Sequence, residues 1–131
     1  MYLIDTNICI YLITERSESV RKRIEEENPY HVAISAISVA ELEYGVAKSR
    51  HIKQNRTALR SFLSAFEIIP FDDRDAEQYG LIRALLEKQG QPIGAYDLEI
   101  ASQGLARNMT VVTNNEKEFR RVPGLVVENW A

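Results

Sequence analysis

The chain has 131 residues, 45% of them hydrophobic, which suits one compact domain over residues 1–131 and leaves no room for a second core. Its formal net charge of −3, from 16 Lys plus Arg against 19 Asp plus Glu, argues against a whole-surface preference for nucleic acid while allowing a local basic patch. A lone Cys9 cannot form an internal disulfide, His31 and His51 lack partners at zinc-ligand spacing, and no apolar run approaches the roughly 20 residues that cross a bilayer, so a cytoplasmic protein is expected.

Tyr2-Leu3-Ile4 is a short apolar run that stops on Asp5, and it reads as a buried parallel strand feeding a helix. Ile8 to Ile13 is continuously apolar and predicts a short, mostly buried helix. A second helix, from about Ser17 or Glu18 to Asn28, carries Val20 and Ile24 inward and ends before Pro29. His31 to Ile34 is the next strand. In the helix that follows, Ile37, Ala40, Glu41, Tyr44 and Gly45 recur at spacings of three and four, which places Glu41 within the apolar stripe.

A basic region then spans Lys48, Arg50, Lys53, Arg56 and Arg60, with Leu59, Phe62, Leu63 and Phe66 as the buried face of a helix from about Ile52 to Ala65. Glu67 to Phe71 predicts a third strand. Asp72-Asp73 opens a long helix with a core stripe of Ala76, Tyr79, Ile82, Leu85 and Leu86, ended by Gly90. Asp97 begins another helix, in line with Ile100, Ala101, Gly104 and Leu105. Met109 to Thr113 is a fourth strand ended by Asn114-Asn115; a short helix from Glu116 to Arg121 precedes a last strand at Leu125 to Val127 and then Trp130. Strands alternate with helices throughout, which favours a parallel sheet flanked by helices.

Three carboxylates stand out. Each has an ordinary role: Asp5 as the cap of the first helix, Glu41 in the capping box Ser38-Val39-Ala40-Glu41, and Asp97 as a cap or dipole partner of its own helix, at about 1 kcal/mol apiece. Yet each also follows a strand or joins a helix's inner stripe, so all three can meet at the carboxyl ends of the strands. Any two of them near 4 Å would repel by roughly 4 kcal/mol at an effective dielectric of about 20, more than capping offsets. A cation or a shared proton is then required, and all-oxygen donors point to Mg²⁺, with Mn²⁺ as the alternative, rather than zinc.

The pieces Leu3-Ile4-Asp5-Thr6-Asn7, Ser38-Val39-Ala40-Glu41-Leu42 with Tyr44-Gly45, Gly94-Ala95-Tyr96-Asp97 with Ile100-Ala101, and Val112-Thr113-Asn114-Asn115 with Phe119 carry a family resemblance across nearly the whole chain. Together they resemble the PIN-domain endoribonucleases, specifically the VapC toxins of toxin–antitoxin pairs. The resemblance implies a three-layer α/β/α fold, metal-dependent cleavage of single-stranded RNA regions such as those of a tRNA, and metal binding through Asp5, Glu41 and Asp97. It also implies a VapB-like antitoxin partner and a homodimer. Asn115 departs from the pattern, standing where many members carry a further aspartate; this reading leaves the site one negative charge short and has the Asn115 carbonyl supporting the metal or its water, in a one-metal site.

On this reading Asp5, Glu41, Asp97 and Asn115 are the catalytic set. Thr6, Asn7 and Thr113 fix the carboxylates by hydrogen bonds, and Arg16, Lys53 and Arg56 are candidate phosphate contacts. Tyr11, Tyr44 and Tyr96 are candidates for stacking on unpaired bases. Two rivals from other classes are weighed. A receiver-like regulatory module wants an acidic pair after the first strand, where Thr6-Asn7 stands; a haloacid dehalogenase-type phosphatase needs a second aspartate at the position of Asn7.

Overall fold

The computed structural model describes residues 1–131. Strand β1 (Tyr2–Ile4) runs into Asp5, whose Oδ1 accepts from the Ile8 N–H at 2.9 Å and so caps helix α1 (Thr6–Thr14). Ser17 caps α2 (Glu18–Glu26) in the same way, and a single 3-10 turn at Pro29–His31 leads into β2 (Val32–Ser35). Ser35 caps α3 (Ala36–Ala47), which is followed by α4 (Ile52–Leu63) and β3 (Glu67–Ile69). Asp72 and Asp75 satisfy each other's backbone donors in a capping box that opens α5 (Asp73–Lys88). The chain is completed by α6 (Ala95–Ala106), β4 (Thr110–Val112), α7 (Glu116–Phe119) and β5 (Val127–Glu128).

All five strands are parallel, in the order β3-β2-β1-β4-β5, so the first strand made lies at the centre of the sheet. Strand alternation divides the interior into two cores. Leu3, Ala33 and Val111 face one side and pack with Ile82 and Leu86 of α5, Ile100 and Ala101 of α6, and Phe119 of α7. Ile4, Ile34 and Val112 face the other, against Ile8 and Cys9 of α1, Val20 of α2, Leu42 and Val46 of α3, and Leu59 of α4. This is the expected three-layer α/β/α arrangement.

The chain steps from β1 to β2 to β3 on one side and then crosses to β4 on the other. The topological switch point therefore lies between the carboxyl ends of β1 and β4, the place where such sheets open a crevice for ligands. Main-chain pairing sets its geometry: Ile4 lies opposite Val112, and the Asp5 N–H donates to the Val112 carbonyl at 3.0 Å, which brings residue 5 level with residue 113.

Several helix faces differ from the sequence reading. On α3 the buried residues are Ser38, Leu42 and Val46, not the expected Ile37–Ala40–Glu41–Tyr44–Gly45 stripe, and Tyr44 and Ala40 are exposed. The helix starts one turn earlier than supposed, with Ser35 rather than Ser38 as its cap, which removes the Ser38–Glu41 capping box and frees Glu41 for another role. Helix α1 is less buried than its composition suggests: only Ile8 and Cys9 are fully covered, while Ile10, Leu12 and Ile13 are half-buried. On α5, Ala76 and Leu85 face solvent, and the buried face comprises Ile82, Leu86 and an acid, Asp75.

Asp75 is balanced by Arg107 at the end of α6, whose Nε and Nη2 donate to its two carboxylate oxygens at 3.2 and 3.0 Å. The same Nη2 reaches Asp72 at 3.1 Å and the Pro70 carbonyl at 3.2 Å, tying α5, α6 and the end of β3 together. Glycine is required at residue 104: a Cβ there would lie 2.6 Å from Val111 Cγ2, so α6 can approach β4 this closely only without a side chain.

Candidate active site

Asp5 is nearly fully buried at the mouth of the switch-point crevice. Besides capping α1, it accepts through Oδ2 from the Thr113 hydroxyl at 2.5 Å, across the β1–β4 seam. The Thr113 oxygen in turn accepts from the Asn115 N–H at 2.9 Å, so the end of β4 is fixed by the same hydroxyl that orients Asp5. Burial raises the pKa of Asp5 above the ordinary aspartate value; the hydrogen bonds from Thr113 and Ile8 oppose that, and the charge of Glu41 adds to it.

Glu41 stands half-buried on the first turns of α3, where the Thr6 hydroxyl donates to its Oε1 at 2.7 Å. Thr6 lies 2.9 Å from the Ser38 hydroxyl as well, so α1 and α3 are linked at the acid they present. Asp97, in the first turn of α6, has its pKa raised to about 6, first by burial and then by the charges of Asp5 and Glu118, against the opposing hydrogen bond from Asn115. Asn115 Nδ2 donates to Asp97 Oδ2 at 3.1 Å and also to Glu118 Oε2.

Glu118 is the residue that the sequence reading missed. It lies three positions after Asn115, one helical turn on, and brings a fourth carboxylate beside Asp97, so the crevice is not one charge short. The available signal was its spacing from Asn115. Glu116, directly after Asn115, points away and pairs with Arg120 at 2.8 Å and Asn129 at 3.1 Å.

The remaining predicted residues divide. Asn7 is exposed, its side chain donating to Asn114 at 3.4 Å, and it supports Asp5 through its backbone N–H. Tyr11 is held at the crevice's far wall by a 2.7 Å hydrogen bond from Asn114. Arg16 and Lys53 are exposed and Arg56 is half-buried; none is hydrogen-bonded or ion-paired to the carboxylates. The basic side chain that lines the space beside Glu41 is Lys48, with Thr6, Asn7, Tyr44 and Tyr96.

No group of three or more His, Cys, Asp or Glu side chains stands close enough together to hold a metal ion by itself. The donor set nonetheless fits a hard divalent cation: it offers only oxygens, and two of its carboxylates are pushed toward protonation by burial and by their neighbours' charge, a penalty that a bound cation removes. Mg²⁺ in particular is held through one or two carboxylates and several waters rather than in a closed protein cage.

Beside this crevice runs an apolar groove between α1, α3 and α4, with a volume of about 350 Å³. Ile10, Ile13, Leu42, Val46 and Leu59 line it, and Glu41 forms part of its rim, so groove and carboxylates share a wall.

Comparison with known proteins accords with this geometry. The family model of the PIN domain matches residues 2–125. Ribonuclease VapC2 of Rickettsia felis is 47% identical over 133 residues, covering 99% of this chain and 98% of the relative. The tRNA(fMet)-specific endonuclease VapC of Salmonella typhimurium is 39% identical over 129 residues, covering 98% of this chain and 97% of the relative. Among solved structures, that of VapBC2 from Rickettsia felis bound to a DNA fragment from their promoter superposes with a TM-score of 0.91 at 46% identity, over 99% of this chain and 98% of that one. PIN-domain ribonucleases are generally dependent on a divalent metal, which suits an all-oxygen crevice. A central parallel sheet with carboxylates at its switch point, matched over its full length by these relatives, places the chain in the PIN-domain family, among its VapC ribonucleases.

Proposed function

We propose that this chain is the toxin of a type II toxin–antitoxin pair, a cytoplasmic Mg²⁺-dependent endoribonuclease, with Mn²⁺ as an alternative ion, that cuts unpaired regions of a tRNA. The observation that carries it is the crevice between β1 and β4, where burial and the charge of Glu41 raise the pKa of Asp5, and burial and the charges of Asp5 and Glu118 raise that of Asp97, with no cationic side chain among them. The rival readings lack support: Asp72 and Asp73 stand at the start of α5, where Asp72 serves as a cap and a partner of Arg107, and Asn7 occupies the position where a phosphatase needs its second aspartate.

Asp5 and Asp97 would hold the metal, with Glu41 as a third ligand or as the base that orients the attacking water. When bound, the cation polarises the scissile phosphodiester and makes water more acidic. Each side chain then has a positional task. Thr113 and the Ile8 N–H keep Asp5 in one rotamer, Thr6 aims Glu41, and Asn115 bridges Asp97 and Glu118 through its Nδ2. Attack in line with the 3′-oxygen leaving group gives a 5′-phosphate and a 3′-hydroxyl. The neighbouring apolar groove is proposed as the seat of a VapB-like antitoxin, because a peptide lying in it would cover Glu41; the pairing named for the Rickettsia felis relative supports this. A homodimer is part of the same proposal.

The test is cleavage of total RNA by the purified chain, with cut sites mapped by sequencing. Wild-type protein should cut in Mg²⁺ and stop in EDTA, and Asp5→Ala and Asp97→Ala should fold yet leave RNA intact. Undiminished cleavage in EDTA would overturn the metal assignment, and an intact RNA pool with wild-type protein would overturn the ribonuclease reading.

A further inference from the structure

Two tyrosines flank the carboxylates without the core packing that holds Tyr2, Tyr11 and Tyr79. Tyr44 follows Glu41 by one turn of α3 and is 66% exposed; Tyr96 precedes Asp97 in α6 and is 57% exposed. Neither hydroxyl has a hydrogen-bond partner in the protein, whereas those of Tyr11 and Tyr79 accept from Asn114 at 2.7 Å and Arg83 at 3.0 Å. Both rings line one cavity of about 500 Å³ whose other wall includes Thr6, Asn7 and Glu41, so it is continuous with the acidic crevice. That volume lies within the roughly 300–1,000 Å³ of small-ligand sites. Lys48 borders the same cavity, with its Nζ 4.8 Å from the Tyr44 ring centroid, and it pairs with no carboxylate.

We propose that Tyr44, Tyr96 and Lys48 form a nucleobase subsite, in which the unpaired base next to the scissile phosphate stacks on the tyrosine rings and the flanking phosphate meets Lys48. The chemistry is complementary at each point: exposed π faces suit any base, and a free ammonium supplies the only positive charge lining a crevice that must admit a polyanion. A second protein is the other occupant such a surface admits, but the apolar wall that protein docking favours lies in the neighbouring groove, whereas this cavity opens on the carboxylates. The proposal rests on the ribonuclease reading and adds to it the part of the substrate that the chain grips.

The experiment uses a labelled stem–loop RNA spanning a mapped cut site, together with the same RNA carrying an abasic nucleotide on one or the other side of the cut. Tyr44→Ala and Tyr96→Ala should each raise KM roughly tenfold, within the range of base–aromatic stacking, and change kcat little, while Tyr44→Phe and Tyr96→Phe stay near wild type. Wild-type enzyme should lose a similar factor on one of the abasic RNAs, and the alanine variants should lose no more on it, because base and ring report the same contact. The abasic arm needs no variant to fold. An unchanged KM in folded alanine variants, an abasic RNA bound as well as its parent, phenylalanine variants as weak as alanine ones, or a loss of antitoxin affinity with KM unmoved would each overturn the subsite. Failure of wild-type protein to cut any RNA would instead overturn the ribonuclease reading beneath it.

Discussion

Asp97 shows what a functional side chain costs the fold. Its pKa of about 6 lies above the ordinary 3.8, so the folded chain binds a proton more tightly than the unfolded chain does. The sign follows directly: a carboxylate with a raised folded pKa favours the native state while protonated, and that advantage is lost as pH climbs from about 4 through 6. Metal-free protein should therefore lose thermal stability over that window, and a divalent cation should restore it at pH 7.5, measurable as a rise in Tm. Asp97→Asn should abolish cleavage and yet raise the Tm of metal-free protein at pH 7.5, since it removes a charge that repels Asp5 and Glu118. A lower Tm would contradict the repulsion. With Asp97 as a proposed ligand that must be ionised, metal binding should release protons around pH 6 and few at pH 7.5, and cleavage should fall off below about pH 6.

Thr113 permits a sharper experiment at the same scale. Its hydroxyl is the hydrogen bond that most lowers the Asp5 pKa, so Thr113→Val should shift the acid limb of the kcat/KM profile upward, and Thr113→Ser should leave it in place. Identical profiles for valine and serine variants would show that the hydroxyl has no such role.

At the scale of elements, the strands and helices were legible because each has its own local signal: apolar runs of strand length, Ser17 and Asp72 at helix starts, and Pro29 and Gly90 at stops. Which helix face lies inward was less legible. In α3 the stripe through Glu41 and Tyr44 competed with the stripe through Ser38, Leu42 and Val46, and only the position of α1 and α4 decides between them. Asp75 was invisible for a related reason, since its compensating charge, Arg107, is 32 residues away in sequence. Arg107→Leu would leave that carboxylate buried and unpaired, and urea unfolding should show a loss of about 3 kcal/mol. Asp5 and Asp97 could be found because they sit at element boundaries, and Glu41 because it interrupts an apolar spacing; Glu118 offered only its three-residue spacing from Asn115.

Over the whole molecule, the net charge of −3 says little about substrate, because what matters is distribution: acids gather at the switch point and basic side chains stand outside it. If Lys53 and Arg56 on α4 meet RNA phosphates, replacing both with Gln should make the slope of log affinity against log salt shallower by about 1.4, the value for two single-strand contacts. An unchanged slope would remove α4 from the substrate path. In the groove between α1, α3 and α4, Ile13→Glu would put a charge on the apolar wall and should weaken antitoxin binding at least tenfold while RNA cleavage is retained.

The central place of β1 also governs when the carboxylate crevice can form. Asp5 precedes by 108 residues the Thr113 that completes its surroundings at the end of β4. Until β4 inserts beside β1, only the local cap from the Ile8 N–H orients Asp5, and the Asn115–Asp97–Glu118 cluster does not exist. Under the proposed function, nascent chains and fragments that stop before residue 110 are expected to cut no RNA, and activity arrives in one late, cooperative step that a long-range contact makes slow. That delay is an interval in which the proposed antitoxin partner can meet the chain before the crevice closes.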